Sequence, residues 1–348
     1  MPELKLYTVA QIREWLEYNQ AADGLSEQVI APSRAWAIIQ NPYVGDEDPV
    51  VAAIYEDGEV AAFTAAFPEL VGGHRYWWLT SLWCDHKHQG KGYGLIVIGS
   101  LAEVYGEDCI LDRWGAQETV EIFKHLGAQV THTPRYVFGS KINPQTAKGK
   151  LVYFIRSLQK CLHKLIEKPA KHEEYTLHYL SYIDDETYVF IKAHSNNDLF
   201  LRTQPMLNWI LQYSFTQACP LMERTLPKTP FAPAKARSNQ MYAVQVLDKE
   251  RLIGFYILKH TEDDLHVLYL YYDTEAADKV FASLSDHLKR LKIEQLTTDD
   301  EVLANYMRKN VYFPKKRVEQ IHFAYPASLN VQPEITLQYG DGDNFTAE

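Results

Sequence analysis

Short apolar runs alternate with amphipathic ones along the chain, and that alternation predicts its elements. "LKLYTV" (4–9) reads as a short strand, and "VAQIREWLEYNQ" (9–20) sets Ile12, Trp15 and Leu16 at helical spacing. "LSEQVIAPSRAWAIIQNP" predicts two short helical pieces broken at Pro32. A β-rich block runs from Pro49 to Asp85, with Asp57-Gly58 between two apolar runs as a hairpin signal and a second break at Val71-Gly72-Gly73-His74. The strand "YWWLTSLWC" then meets a glycine cluster, and "LIVIGSLAEVYG" has the length and composition of a helix. "DCILD" predicts a strand, "QETVEIFKHLGA" a helix closed by Gly127, and "QVTHTPRYVFGSK" an extended segment.

From 176 onward the same order returns. "MYAVQVLDKERLIGFYILKH" predicts a hairpin around Asp248-Lys249-Glu250, and "LHVLYLYYD" a buried strand. "TEAADKVFASLSDHLKRL" predicts a helix with Thr274 as N-cap, "IEQLTTD" a strand and "EVLANYMRKN" a helix. Residue identity between the halves is slight, so the repeat is one of architecture. Between them, 141–175 is basic and amphipathic, with Leu151, Phe154, Leu158, Leu162 and Leu165 on one stripe, which predicts a linker helix. The last residues, ending "GDGDNFTAE", are polar and expected to fray. The predicted division is therefore 1–142, a linker at 143–175, a second domain at 176–328 and a flexible tail at 329–348.

Composition narrows the classes. A chain of 348 residues with 46% hydrophobic and 23% charged residues is long enough for two domains and ordinary for a globular protein. Its net charge of −10 weighs against a nucleic-acid partner, because a phosphate backbone calls for a basic surface. The four cysteines, Cys84, Cys109, Cys161 and Cys219, form no CxxC pair, so neither a zinc site nor a disulfide framework is expected, and no metal. No window approaches the roughly 18 apolar residues of a membrane span. The N-terminus lacks a signal-like apolar core, which points to the cytoplasm. Self-association stays open.

The chemistry is concentrated in "HQGKGYG". Of 17 glycines in the chain, three stand at 90, 92 and 94. A P-loop needs GxxxxGK[ST], and here the lysine is misplaced and no hydroxyl residue follows. A dinucleotide fingerprint needs a third glycine where Leu95 or Val97 stands, although Asp112 does lie about 20 residues on. The pattern [Q/R]-x-x-G-x-[G/A], between a strand and a helix, is met at every fixed position by Gln89, Gly90, Lys91, Gly92, Tyr93 and Gly94. Small residues there let successive backbone N–H groups turn inward at a helix N-terminus, a nest for an anionic diphosphate.

That motif in that context resembles the signature of the GNAT acyltransferase superfamily, over roughly residues 3–140. The resemblance implies an α/β (α+β) protein of two GNAT-like domains, each a mixed, mostly antiparallel sheet flanked by helices. It implies that Gln89, Gly90, Lys91, Gly92, Tyr93 and Gly94 present amides to the pyrophosphate of acetyl-CoA. Leu82, Trp83 and Cys84 fall where the family splays its fourth strand and pairs main-chain groups with the pantetheine arm; a backbone N–H there would polarise the acetyl carbonyl. This sequence departs from the family at four places. Phe123 stands where a tyrosine often serves as acid, Ala116 at the usual asparagine and Ala128 at the usual phenylalanine. Tyr76-Trp77-Trp78 stands where many relatives carry a glutamate base. No catalytic acid or base is therefore named.

Other candidates have plainer readings beside their chemical ones. Asp85 reads as a turn or cap residue, and Cys84 with His86 or His88 as a nucleophile pair or as strand and loop residues. Tyr136 reads as a hydroxyl donor or as core, and Trp77, Trp78 and Trp83 as core or as a substrate platform. The second half resembles a GNAT domain without its cofactor loop, since "TEAADKVF" has no glycine after its strand, and "RTQPMLNWILQYSF" resembles a helix of bacterial tandem GNAT proteins. The implied activity is direct transfer of acetyl from acetyl-CoA to a primary amine on a small molecule or peptide. The alternative is a non-catalytic acyl-CoA-binding or regulatory protein, and a more distant one an aminoacyl transferase.

Overall fold

A computed structural model describes residues 1–18, 24–113, 115–139, 174–212, 218–219, 224–225, 239–311, 313, 315–332 and 335–342. The first half runs β1 (Glu3–Thr8), α1 (Val9–Tyr18), α2 (Pro32–Ile39), β2 (Pro49–Glu56), β3 (Glu59–Val71) and β4 (His74–Cys84). It continues with α3 (Tyr93–Tyr105), β5 (Ile110–Arg113), α4 (Gln117–His125) and β6 (Gln129–Gly139). The second half runs β7 (Thr176–Leu180), α5 (Asp185–His194), α6 (Gln204–Gln212), β8 (Asn239–Asp248), β9 (Arg251–Thr261) and β10 (Asp264–Tyr272). Then come α7 (Ala277–Leu291), β11 (Gln295–Thr298), α8 (Glu301–Asn310) and β12 (Lys316–Tyr325). The predicted linker helix falls outside the described residues, apart from 174 and 175.

Local chemistry sets the hairpins. Asp57 and Gly58 both take positive φ, 55° and 82°, the geometry of a two-residue turn whose twist matches its strands. In the second half the helix after β10 does not start on a Thr274 cap. A 3-10 turn, Thr274–Ala276, comes first, and α7 begins at Ala277 with no side-chain cap. Asp273, the residue before that turn, has its carboxylate taken by His194 and Arg251 instead.

These twelve strands form one mixed, mostly antiparallel sheet, in the order β1-β2-β3-β4-β5-β12-β6-β11-β10-β9-β8-β7, and the short strands Ala218–Cys219 and Arg224–Thr225 pair apart from it. The expected units trade strands at the centre. β12, last in sequence, lies between β5 and β6, pairing Phe323 with Arg113 and Val318 with Tyr136. β6 of the first half in turn pairs with β11 of the second, Leu296 opposite Phe138. The apolar core follows the exchange: Trp78 on β4 packs against Phe200 and Phe323, and Phe67 on β3 against Trp209. One cluster therefore spans both halves.

The segment after β12 does not fray as expected. Leu329, Leu337, Tyr339 and Asp341 are buried, and Arg113 donates to the carbonyls of Gln338 and Asp341. A polar tail is held here because its carboxylate meets buried guanidinium groups: Asp341 accepts from Arg202 at 3.2 Å. Residues 343–348 lie outside the described ones.

Candidate functional site

β4 and β5 run parallel for only two registered pairs, Trp77 with Ile110 and Trp78 with Leu111. From Leu79 to Cys84, β4 has no partner on β5, so the strands part towards the glycine cluster. On its other edge β4 carries a bulge: Phe63 faces Trp83 and Ala65 faces Thr80, leaving Ser81 and Leu82 opposite Thr64 alone. Ser81 sits at φ 59°. Such a bulge re-aims the strand and the groups it carries. Leu82 and Cys84 are half-buried, and Trp83 is 43% exposed and stacked on Phe63.

The turn into α3 is built from backbone geometry. Asp85 accepts from the Lys87 N–H, capping a 3-10 turn at His86–His88. Gly90 and Gly92 then take φ of 83° and 77°, a region that strongly favours glycine. Among the described residues, the N–H groups of Gly90, Gly92, Tyr93, Gly94 and Leu95 donate to no acceptor of the chain; the first bond of the helix runs from Ile96 to Gly92. These five amides stand together at the positive end of a 13-residue helix. A Cβ at Gly90, Gly92 or Gly94 would meet nothing within 4 Å, so no neighbouring group of the protein demands a small residue at Gly94.

Side chains brace this loop from the hairpin below it. Glu56, at the end of β2, accepts from Lys91 at 2.7 Å and from Tyr93 at 3.0 Å and pairs with His88 at 2.8 Å. The hydrogen bonds from Lys91 and Tyr93 hold the Glu56 carboxyl below its usual range, and the same bond to Glu56 raises Lys91. Burial, then Glu56, pushes the Tyr93 phenol up. Glu56 carried no signal in the sequence, because its partners are 32 to 37 residues away and only the hairpin brings them near.

The other candidates take their plainer roles. The Cys84 thiol is pushed up by burial and by Asp85, and among the described residues its polar contact is the Asp85 carbonyl at 3.7 Å, with no base beside it to activate it. Phe123 and Trp78 are buried, Trp77 stacks on Tyr105, and Tyr136 lies buried beneath Arg308. Among the described residues no cluster of three or more His, Cys, Asp or Glu could hold a metal.

Sequence reasoning missed a buried charged seam where the halves meet. Arg202 is paired with Glu69 and Asp341, and Asp299 binds both Arg113 at 2.8 Å and Arg135 at 3.0 Å. Asp198 accepts from Tyr271 and from Gln338. Burial pushes Glu69 up to about 7 against the pull of Arg202, and burial together with Asp341 pushes Asp198 up to about 7. A lone arginine in the apolar run "LFLRTQPML" was the available signal.

The acetyltransferase (GNAT) family model matches residues 12–122, the span that carries this loop and the strand split. Residues 12–122 are a GNAT domain. The match supports N-acyltransferase chemistry for that span. Solved structures extend the likeness in fold over nearly all of it. A candidate acetyltransferase from Pyrococcus horikoshii aligns over 100% of this chain and 96% of its own, at 11% identity and a TM-score of 0.52. The N-myristoyltransferase of Saccharomyces cerevisiae, solved with bound myristoyl-CoA, aligns over 93% and 82% at 11% identity and 0.52. A tandem GNAT protein of the clavulanic acid biosynthesis pathway aligns over 93% and 98% at 10% identity and 0.50. Among curated proteins none matches by sequence. No helix among the described residues is long and apolar enough to cross a membrane.

Proposed function

We propose that the first half binds acetyl-CoA and transfers its acetyl group directly to a primary amine, on a small molecule or a peptide. The observation that carries this is the cluster of five unpaired amides at Gly90 and Gly92–Leu95, beside a split between β4 and β5. Neither φ nor packing within the protein accounts for Gly94, which fits the approach of an outside group to the backbone. Unpaired N–H groups at a helix N-terminus suit a diphosphate, and the bulged main chain of Ser81 to Cys84 suits the arm that follows it.

The chain's residues then have limited but definite work. A main-chain N–H at the bulge would donate to the acyl carbonyl oxygen and stabilise the negative charge that grows there during attack. The amine nitrogen forms the new bond to the acyl carbon and loses a proton to solvent. The carbon–sulfur bond breaks, and the thiolate takes up a proton. Direct attack on the thioester needs one ternary complex and no acyl-enzyme, which accords with a Cys84 thiol that burial pushes up. The second half, on this reading, is a GNAT-like domain without a donor loop, and the protein works in the cytoplasm.

Phe123, buried and without a hydroxyl, favours the second reading, a non-catalytic acyl-CoA-binding protein. One experiment separates the two: thermal shift with acetyl-CoA and longer acyl-CoAs, then thiol release across a panel of amines. Stabilisation with turnover supports transfer, and stabilisation without turnover on any amine supports binding alone. No stabilisation by any acyl-CoA ends both readings.

A further inference from the structure

The two halves correspond strand by strand. Tyr7 faces Val51 and Val51 faces Ala65, as Leu180 faces Ala243 and Ala243 faces Ile257. The N–H of Asp85 donates to Ala61 and that of Asp273 to Ile253, fixing the strand ends against each other. Seven residues before those aspartates, β4 leaves β5 after Trp78 and β10 leaves β11 after His266. The second half therefore keeps a strand split of its own.

That split is crossed by the segment 335–342. The Gly340 N–H donates to the Leu268 carbonyl at 2.8 Å, two residues past the parting. The Tyr339 ring packs tilted against His266 at 5.1 Å and lies under the Arg135 guanidinium at 4.2 Å, reaching both flanks of β11. Thr336 makes a parallel bridge with Asp198, its N–H donating to Asn197 and its carbonyl accepting from Leu199. Asp341, 1% exposed, then meets Arg202, whose other partner is Glu69 of the first half. The Asp341 carboxylate also accepts from the Gln338 N–H at 2.8 Å, so the segment folds back on itself there.

We propose that residues 335–342 are a built-in occupant of the second split: they fill in cis the place that the first half leaves open, and they tie the two halves together through Asp341. The segment supplies the second split with what a bound arm would otherwise give, a main-chain hydrogen bond to the diverging strand and apolar cover for its floor. The consequence is one donor site per chain in a protein with two GNAT-like halves. It also explains a buried polar sequence at this position, since Gln338 and Asp341 satisfy the charged seam.

Hydrogen exchange on the full chain tests this without any ligand. A Cβ at Gly340 would stand 2.5 Å from the Tyr269 ring, so Gly340→Val displaces the segment. Exchange at Leu199, Thr336 and Gly340 is expected to rise at least tenfold in that variant, with β1 to β3 unchanged. Asp341→Asn keeps the shape and removes the charge; the same amides should speed up at least threefold. Unchanged rates in both variants overturn the proposal. So does an equal rise in β1 to β3, because the segment would then be one part of a common core rather than an occupant. A calorimetric titration with acetyl-CoA adds an arm that rests on the donor-site reading above. One site per chain agrees, and two overturn the occupant. No binding ends the donor-site reading and leaves the exchange rates to decide this one.

Discussion

After β4 and after β10 the chain performs the same manoeuvre with different results. In both halves an aspartate N–H closes the strand end and a 3-10 turn follows. In the first half four more residues, Gln89 to Gly92, intervene before α3, and they leave five amides without partners. In the second, α7 starts at once and settles onto its sheet, so closely that a Cβ at Gly254 would lie 2.4 Å from Val280. Register and sheet order are common to the halves, while a four-residue loop separates a helix end with five unpaired amides from a packing one. Function here sits in the connection and the strands only aim it.

What the halves share is broken most severely at the seam. Arg202→Met leaves Glu69 and Asp341 buried without their cation and is expected to cost about 3–5 kcal/mol in denaturant unfolding. A loss under about 1 kcal/mol would show that the carboxyls take up protons instead and that the pairs add little. What distinguishes the halves is broken at Gly92. Gly92→Val meets no clash but must hold a positive φ, a strain of about 1–2 kcal/mol that re-aims the amides. Acetyl-CoA affinity should fall at least roughly tenfold, the worth of one or more hydrogen bonds to a charged group. Ala276→Gly, at the residue that precedes α7 as Gly92 precedes α3, should leave that affinity unchanged. Equal effects at the two positions would erase the distinction between the loops.

A smaller effect comes from protons held in the seam. Glu69 and Asp198, raised to about 7, hold protons in the folded state over a range where the unfolded chain, near 4.5 and 3.8, has released them. The folded form thus binds more protons, and stability falls as pH rises from about 4 through 7. His287 opposes this. Burial pushes it down to about 4, so below its unfolded value of 6.5 the unfolded chain gains the proton and stability falls as pH drops. From pH 6.5 towards 8 the histidine contribution fades and the carboxyls dominate, so stability should decline by up to about 1.4 kcal/mol per pH unit for each proton released. Asp198→Asn should roughly halve that decline. A flat profile between pH 6.5 and 8 in the unaltered protein would mean that Arg202 and its neighbours keep both groups ionised.

The legible parts of this molecule were those written in local backbone chemistry. Asp57-Gly58 and the Gln89–Gly94 loop announced themselves because positive φ at Asp57, Gly58, Gly90 and Gly92 restricts residue choice. The exchange of β6 and β12 was not legible, since an alternating strand says which face is apolar and not which neighbour it pairs with. The seam was hidden for a related reason: Arg202 and Glu69 are 133 residues apart, and each looks like a surface charge until the sheet closes. Ser81 gave no warning of its φ of 59°, because serine is not a residue that usually marks a bulge. The polar run before "GDGDNFTAE" looked like a tail because its burial depends on arginines far away in sequence.

The smallest predicted effect sharpens the comparison of the two turns most finely. In the first half an exposed Lys91 lies on a half-buried Glu56, while at the second turn Asp273 is tied to His194 and Arg251. If the amides of α3 carry the donor's charge, the lysine is a screened neighbour and no anchor. Lys91→Ala should then lower acetyl-CoA affinity by no more than roughly threefold, with most of that difference lost at high salt, where exposed charges are screened. A loss as large as that of Gly92→Val, persisting in salt, would transfer the anion site from backbone to side chain. The glycines would then matter only for bringing Lys91 into place.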